Sequence, residues 1–173
     1  MLFRSAASLQ DVVKRYKKRF GGDFNHFSSE YAIQLNDTHP VVAIPELIRV
    51  FMEQEGMTFI KALRIAKETF AYTNHTVMAE ALEKWSIPLF KAVIPQVYKY
   101  ILLINKALKK DLKAFGKSTE KEQKQYLILD NGLIYMARLA IYASHSTNGV
   151  AKLHTEILKN DALHEWYELY PER

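Results

Sequence analysis

Cysteine is absent from all 173 residues, which excludes a disulfide scaffold, a thiolate zinc site, an iron–sulfur cluster and a cysteine nucleophile together. A reducing cytoplasm is the expected location. Glycine and proline are sparse, at six and five, too few for a low-complexity or fibrous chain. No apolar run reaches the length of about 18 residues that a membrane span needs, so no membrane partner is expected. Residues 1–10 lack the basic head and apolar stretch of a secretory signal, and nothing points to export. There is no glycine-rich phosphate cradle of the dinucleotide or P-loop kind and no His-Glu-x-x-His. His145 and His154 are spaced too widely to share a helical face. Nucleotide and metal binding therefore have no support.

What is present is an ordinary balance, 49% apolar and 25% charged, which fits one compact unit over residues 1–173. The formal charge of +5 permits polyanion binding, so the placement of the basic residues decides. They fall in two blocks, 14–19 and 99–113, each the polar side of an amphipathic helix. No aromatic or motif signature accompanies them, so they read as solvated faces and no nucleic-acid partner is expected.

The spacing of Leu9, Val12, Val13, Tyr16 and Phe20 predicts a helix over 8–20, ended by Gly21-Gly22. A short apolar run over 31–35 reads as a strand. It stops at Asn36-Asp37-Thr38-His39, and a helix follows over about 40–55 to Gly56. Thr58 caps the next helix, over 59–68. A β-branched and aromatic run over 69–73 then repeats the pattern, strand followed by the polar loop Asn74-His75-Thr76. Pro88 and Pro95 suit the first turns of two helices, the second extending to Phe115, because a helix-interior proline costs about 3 kcal/mol. Thr119 and Glu122 form a capping-box pair. Asn131-Gly132 between two apolar runs predicts a β-hairpin over 126–135. A helix over 136–144, a loop over 144–149 with a strand beside it, and helices over 151–159 and 163–170 complete the reading. The alternation predicts an α/β fold, helix-dominated, with a short parallel sheet.

In open parallel sheets, ligands sit outside the carboxyl ends of the strands, where loops and helix starts converge. Three polar clusters occupy such ends: 36–39, 74–76 and 144–149. Taken singly, each is better explained by capping and turn chemistry. Their recurrence favours a site. A carboxylate, amides, hydroxyls and imidazoles on one cleft suit a neutral polyol such as a sugar. Glu83, eight residues after His75, either joins this cleft or is a solvated group beside Lys84.

The segment Ala32-Ile33-Gln34-Leu35-Asn36-Asp37-Thr38-His39-Pro40, with Ala43-Ile44-Pro45-Glu46-Leu47, closely resembles one in the glycogen and maltodextrin (α-glucan) phosphorylases. So does Thr69-Phe70-Ala71-Tyr72-Thr73-Asn74-His75-Thr76-Val77, with Glu80-Ala81-Leu82-Glu83 and Trp85 in step. A third match runs through Met136-Ala137, His145, Asn148-Gly149-Val150-Ala151 and 154–158. The resemblance implies an enzyme that uses phosphate to release glucose 1-phosphate from an α-1,4-glucan. It also implies two Rossmann-like domains flanking the site, and pyridoxal phosphate as cofactor. His75 resembles the family's sugar-binding histidine, near the glucose 6-hydroxyl. Asp37, His39 and Glu83 resemble the polar wall beside the sugar, and Ala81 and Val150 resemble pocket residues. Asn148 and Gly149 belong to the third match. Ala79 stands where relatives commonly have Pro, and Thr147 where they have an apolar residue. The family is several times longer, so residues 1–173 are expected to be a Rossmann-like half-domain from inside its N-terminal domain, without the lysine that holds the cofactor. Such a chain is expected to be inactive alone, to bind no pyridoxal phosphate, and to self-associate. The competing expectation is a non-enzymatic glucan- or protein-binding remnant.

Overall fold

The computed structural model describes residues 2–76, 78 and 81–173. Val77, Ala79 and Glu80, which belong to the second matching segment, lie outside the described residues. The chain opens with α1 (Leu2–Phe20), longer than the periodicity predicts, then a 3₁₀ turn (Phe24–His26) and the single-turn α2 (Phe27–Glu30). Tyr16, Phe24, Phe27 and Phe51 pack ring on ring here, with centroids 5.0 to 5.3 Å apart, so α1 is fastened to the body by aromatic packing. Strand β1 (Ile33–Asn36) leads through a turn to α3 (Ala43–Glu53) and α4 (Phe59–Thr69), and β2 (Phe70–Asn74) follows α4 without a break. Thr58 caps α4 as expected, its hydroxyl accepting from the Lys61 N–H.

A long excursion then builds a second layer. Strand β3 (Lys84–Ser86) runs into α5 (Ile87–Val93) and α6 (Pro95–Ala114), each with proline in its first turn. The apolar stripe Val97, Ile101, Ile104, Leu108 and Leu112 is fully inside, whereas Phe115 closes the helix as an exposed residue. The short α7 (Glu120–Gln123) has the Thr119/Glu122 capping box. The hairpin is β4 (Leu129–Asp130) and β5 (Leu133–Tyr135), turned by Asn131 and Gly132 at φ 48° and 73°, the left-handed pair of a type I′ turn. It is shorter than its apolar runs because the buried Asn105 of α6 accepts the N–H groups of Ile128 and Leu129 at 3.0 and 3.2 Å. Those donors are thereby unavailable to a ladder. β3 pairs with the other side of β5, giving an antiparallel sheet in the order β3-β5-β4.

Helix α8 (Met136–Tyr142) packs against β2 and returns the chain to the first sheet as β6 (Ser146–Gly149). Then come α9 (Lys152–Ile157), a π-helical turn (Leu158–Ala162) and α10 (His164–Leu169). Of the residues read as a loop over 144–149, Ser146–Gly149 are thus themselves a strand. The sheet order is β1-β2-β6, all parallel, with Asn36, Thr73 and Asn148 in register across it. Leu35, Phe70 and Tyr72 point into the core, while Gln34, Asn36 and Asn148 lie on the exposed face. The fold is α/β, with helix predominant.

One polar cluster ties the helical layer together. Glu53 of α3 accepts from Lys99 and Tyr100 of α6, both at 2.7 Å, and from Arg49 at 2.7 Å. Arg49 also grips the buried Glu46 with two bonds of 2.8 Å. The Lys99 ammonium, then the Tyr100 hydroxyl, hold the Glu53 carboxyl down at about 2, against an ordinary value of 4.5. A depressed carboxyl contributes stability that is present above its unfolded value and lost as pH falls through the folded one. Glu53→Gln should therefore lower the urea midpoint at pH 7, with the deficit shrinking as pH falls from about 4.5 towards about 2. A deficit independent of pH across that window would show that this carboxylate is not the source.

Candidate functional site

Parallel strands end on one edge, and the three carboxyl ends here meet in register. At the tip of β1, Asp37 adopts φ 67°, a left-handed conformation that Asp tolerates better than most residues. Its side chain stabilises the turn by accepting the Thr38 N–H at 2.7 Å, and its own N–H extends the ladder to the Thr73 carbonyl at 2.9 Å. At the tip of β2, the buried Asn74 donates to the Tyr72 hydroxyl at 2.8 Å and accepts the Thr76 N–H at 2.7 Å. Burial raises the Tyr72 phenol well above its ordinary value, so it stays a neutral partner. This platform leaves His75 outward, its Nε2 bonded to the Asn36 side-chain oxygen across the strands. Below it, Gln34 donates to the Thr73 hydroxyl at 2.7 Å and Thr73 donates to the Asn148 oxygen at 3.1 Å. A polar row thus spans all three strands.

The wall is completed from the other sheet. Glu83 directly precedes β3, and its carbonyl accepts the Met136 N–H at 3.1 Å. Its carboxylate accepts from the Thr38 hydroxyl and, at 2.7 Å, from the Trp85 indole N–H. His39 Nδ1 lies 3.7 Å from the same carboxylate. Glu83 is thus held by name at the tip of β1. Its side chain is 27% exposed, which removes the solvated reading of this residue.

Asn148 and Gly149 end β6, and Val150, exposed, follows them. Gly149 is buried with no room for a side chain: an added Cβ would lie 2.8 Å from the Thr155 backbone nitrogen and 2.9 Å from the His154 ring. Ala81, two residues before Glu83, is exposed, and its N–H donates to the Met78 carbonyl at 3.1 Å. His145 stands apart from the rim. Its N–H bonds the Phe70 carbonyl at 2.9 Å, which puts it at the amino end of the sheet. The third imidazole near the rim is instead His154, buried behind Gly149 and bonded to Thr76. Asn36, Thr38, Thr76 and His154 were the residues that sequence reasoning did not single out. Asn36 and Thr38 carried a signal as members of the first polar cluster and Thr76 as a member of the second, whereas His154 lies outside all three.

These residues do not fit pyridoxal phosphate. That group needs an amine to carry it and cations for its phosphate, whereas the rim offers carboxylates, amides, hydroxyls and imidazoles. A half-buried amine, Lys67, lies in the last turn of α4 before β2 begins, so at the sheet's amino end. It stacks 3.7 Å from the Tyr142 ring centre and 3.7 Å from Asp111, and burial pushes it down to about 8. The rim's own donors and acceptors match a neutral polyhydroxyl ligand, with two carboxylates able to oppose positive charge developing on it.

The steric constraint at β6 has a direct check. Gly149→Ala should cost about 1–3 kcal/mol in urea unfolding, since the Thr155 backbone cannot yield as a flexible side chain would. Gly22→Ala, where nothing lies within 4 Å, is the control and should show no loss. Equal stabilities would mean that the tip relaxes freely.

The carbohydrate phosphorylase family model matches residues 1–173. The chain is 42% identical to the liver form of glycogen phosphorylase of Ovis aries and 41% identical to that of Homo sapiens, in each case over 99% of this chain and 21% of the relative. It is 38% identical to the H isozyme of alpha-glucan phosphorylase of Triticum aestivum, over 99% of this chain and 22% of the relative. The chain therefore spans about a fifth of the length of these curated relatives. With a match of that extent to the family model and identities near two in five along nearly its whole length, this chain belongs to the carbohydrate phosphorylase family.

Proposed function

We propose that residues 1–173 form the sugar-holding rim of an α-glucan phosphorylase site, as one part of that enzyme's N-terminal domain, and that the chain alone does not complete the reaction. The observation that carries this reading is the in-register meeting of Asn36–Asp37, Asn74–His75 and Asn148–Gly149 at one sheet edge, joined there by Glu83. Phosphorolysis breaks the bond between the terminal glucose C1 and the glycosidic oxygen, and phosphate takes the place of the departing glucan. The sugar ring becomes oxocarbenium-like on the way. In this reading the exposed His75 bonds the glucose 6-hydroxyl and fixes the ring. Asp37 and Glu83 accept from other hydroxyls and set negative charge near the ring. Asn148, Gly149 and Val150 close the third side, with His39 and Ala81 on the Glu83 flank. Among the described residues this rim holds no cation for the substrate phosphate, which supports the view that an opposing wall supplies it. Catalysis of this kind depends on groups held across a closed site. Pyridoxal phosphate would enter with that wall, in a cytoplasmic enzyme.

Calorimetric titration of the purified chain with maltoheptaose should show weak binding, reduced about tenfold by His75→Ala, the loss of about one hydrogen bond. Incubation with maltoheptaose and phosphate should yield no glucose 1-phosphate. Absence of binding at millimolar glucan would remove the carbohydrate reading, and glucose 1-phosphate release would show that the chain needs no second wall.

Met78, Val150 and Leu153 are 56%, 55% and 74% exposed beside this rim, which supports self-association of the free chain through uncovered apolar surface. Sedimentation should show a mass that rises with concentration. A monomer throughout would reject that.

A further inference from the structure

His154 is 7% exposed and has no part in the sugar-facing roles above. It sits in the first turn of α9, yet both ring nitrogens reach strand tips. Nδ1 lies 3.2 Å from the Val150 nitrogen, just past β6, and Nε2 lies 3.3 Å from the Thr76 carbonyl oxygen, just past His75. The partners dictate the tautomer. A backbone N–H can only donate, so Nδ1 must present its lone pair, and a carbonyl can only accept, so Nε2 must carry the proton. The neighbours keep the ring from sliding. Gly149 packs so close that a Cβ would stand 2.9 Å from the imidazole Cγ and Nδ1. Thr155, the next residue, accepts the Gly149 N–H at 3.0 Å and donates to the Ala151 carbonyl at 3.1 Å.

We infer that His154 is a positioning residue: as the Nε2–H imidazole, it latches the Asn148–Val150 tip of β6 to the His75–Thr76 tip of β2, and so fixes the spacing of two sides of the rim. What those tips hold rests on the carbohydrate reading, but the latch itself does not. β2 and β6 are joined by ladder bonds only up to Asn74 and Gly149. Beyond that pair, the ring spans the gap between the two chains. A misplacement of about 1 Å at such a point costs up to about a hundredfold in a reacting site, which gives a bridging ring a purpose that simple core filling does not.

Three substitutions separate a latch from a filler. In His154→Asn, the side-chain oxygen falls near the place of Nδ1 and still accepts from Val150, but nothing reaches Thr76. In His154→Gln, the terminal amide reaches Thr76, but nothing accepts from Val150. His154→Phe fills the space with neither bond. The experiment is NMR on the ¹⁵N-labelled chain. The wild-type ring should show a bare Nδ1 and a protonated Nε2. Amide exchange at Val150 should be at least about tenfold faster in the Gln and Phe variants and near wild type in the Asn variant. Backbone shifts at His75 and Thr76 should move in the Asn and Phe variants and stay in the Gln variant. An Nδ1–H ring in the wild type, or Val150 exchange and Thr76 shifts unchanged in His154→Phe, would overturn the latch. Maltoheptaose titration of the same samples judges the other reading: affinity should fall about tenfold in the Asn and Gln variants alike. A wild-type chain that ignores maltoheptaose overturns the carbohydrate reading, while the tautomer and exchange data still decide the latch.

Discussion

Parallel pairing of β1, β2 and β6 is the constraint on which everything else depends. Parallel neighbours cannot be joined by a tight turn, so the chain must cross back between them, once through α3 and α4 and once through the whole of residues 75–145. Each crossing has a consequence at the other edge. Three strands that start together also finish together, and three chemically different tips are forced into one row. Parallel sheets are usually covered on both faces. Here the inner face is sealed by Leu35, Phe70 and Tyr72, and the outer one bears Gln34, Thr73 and Asn148, which bond one another across the strands. Those side chains satisfy their own polar groups on a face that this chain leaves largely open.

The second sheet matters because it delivers one residue. Glu83 is eight residues from His75, a separation that alone would let it wander. It is fixed because β3 pairs with β5, Met136 clamps its carbonyl and Trp85 holds its carboxylate. Thr38 then reaches the same carboxylate from the first sheet. The antiparallel layer is therefore an arm that brings a carboxylate to the tip of β1. Thr38, buried, is the joint between the two layers.

Features set by neighbouring residues could be read from the chain: the Thr58 and Thr119 caps, both first-turn prolines, the Asn131-Gly132 turn and the apolar stripe of α6 each depend on groups within a turn or two. Features set by distant partners could not. Ser146-Thr147-Asn148-Gly149 has the composition of a loop and is a strand only because β2 offers it a ladder. Lys84-Trp85-Ser86 is too short to show alternation, and its partner β5 lies some 50 residues on. For the same reason His145 and His154 exchanged places: sequence proximity to Asn148 favoured His145, but β6 carries it to the sheet's far end, and the first turn of α9 brings His154 back. The rim's outline was legible because turn-forming residues recur at strand ends. Its wiring through Asn36, Thr76 and His154 was not, since each bond there links residues roughly 40 or 80 apart.

The local costs in this architecture gather at the tips. Asp37 holds a left-handed backbone that most side chains resist by about 1–2 kcal/mol. Gly149 accepts contacts that no other residue could, and Asn74 buries an amide that needs Tyr72 and Thr76 to satisfy it. None of these helps the core pack. They are stable because the ladders beneath, and the aromatic and aliphatic interior below them, over-determine where each tip must go. The outer strands turn at once, β1 through a strained Asp and β6 through a crowded Gly. In the central strand the buried Asn74, which accepts the Thr76 N–H, presents His75 between them. Strain at one flank, crowding at the other and a satisfied buried amide at the centre hold three polar tips in one row, an arrangement that no strand would keep without the other two.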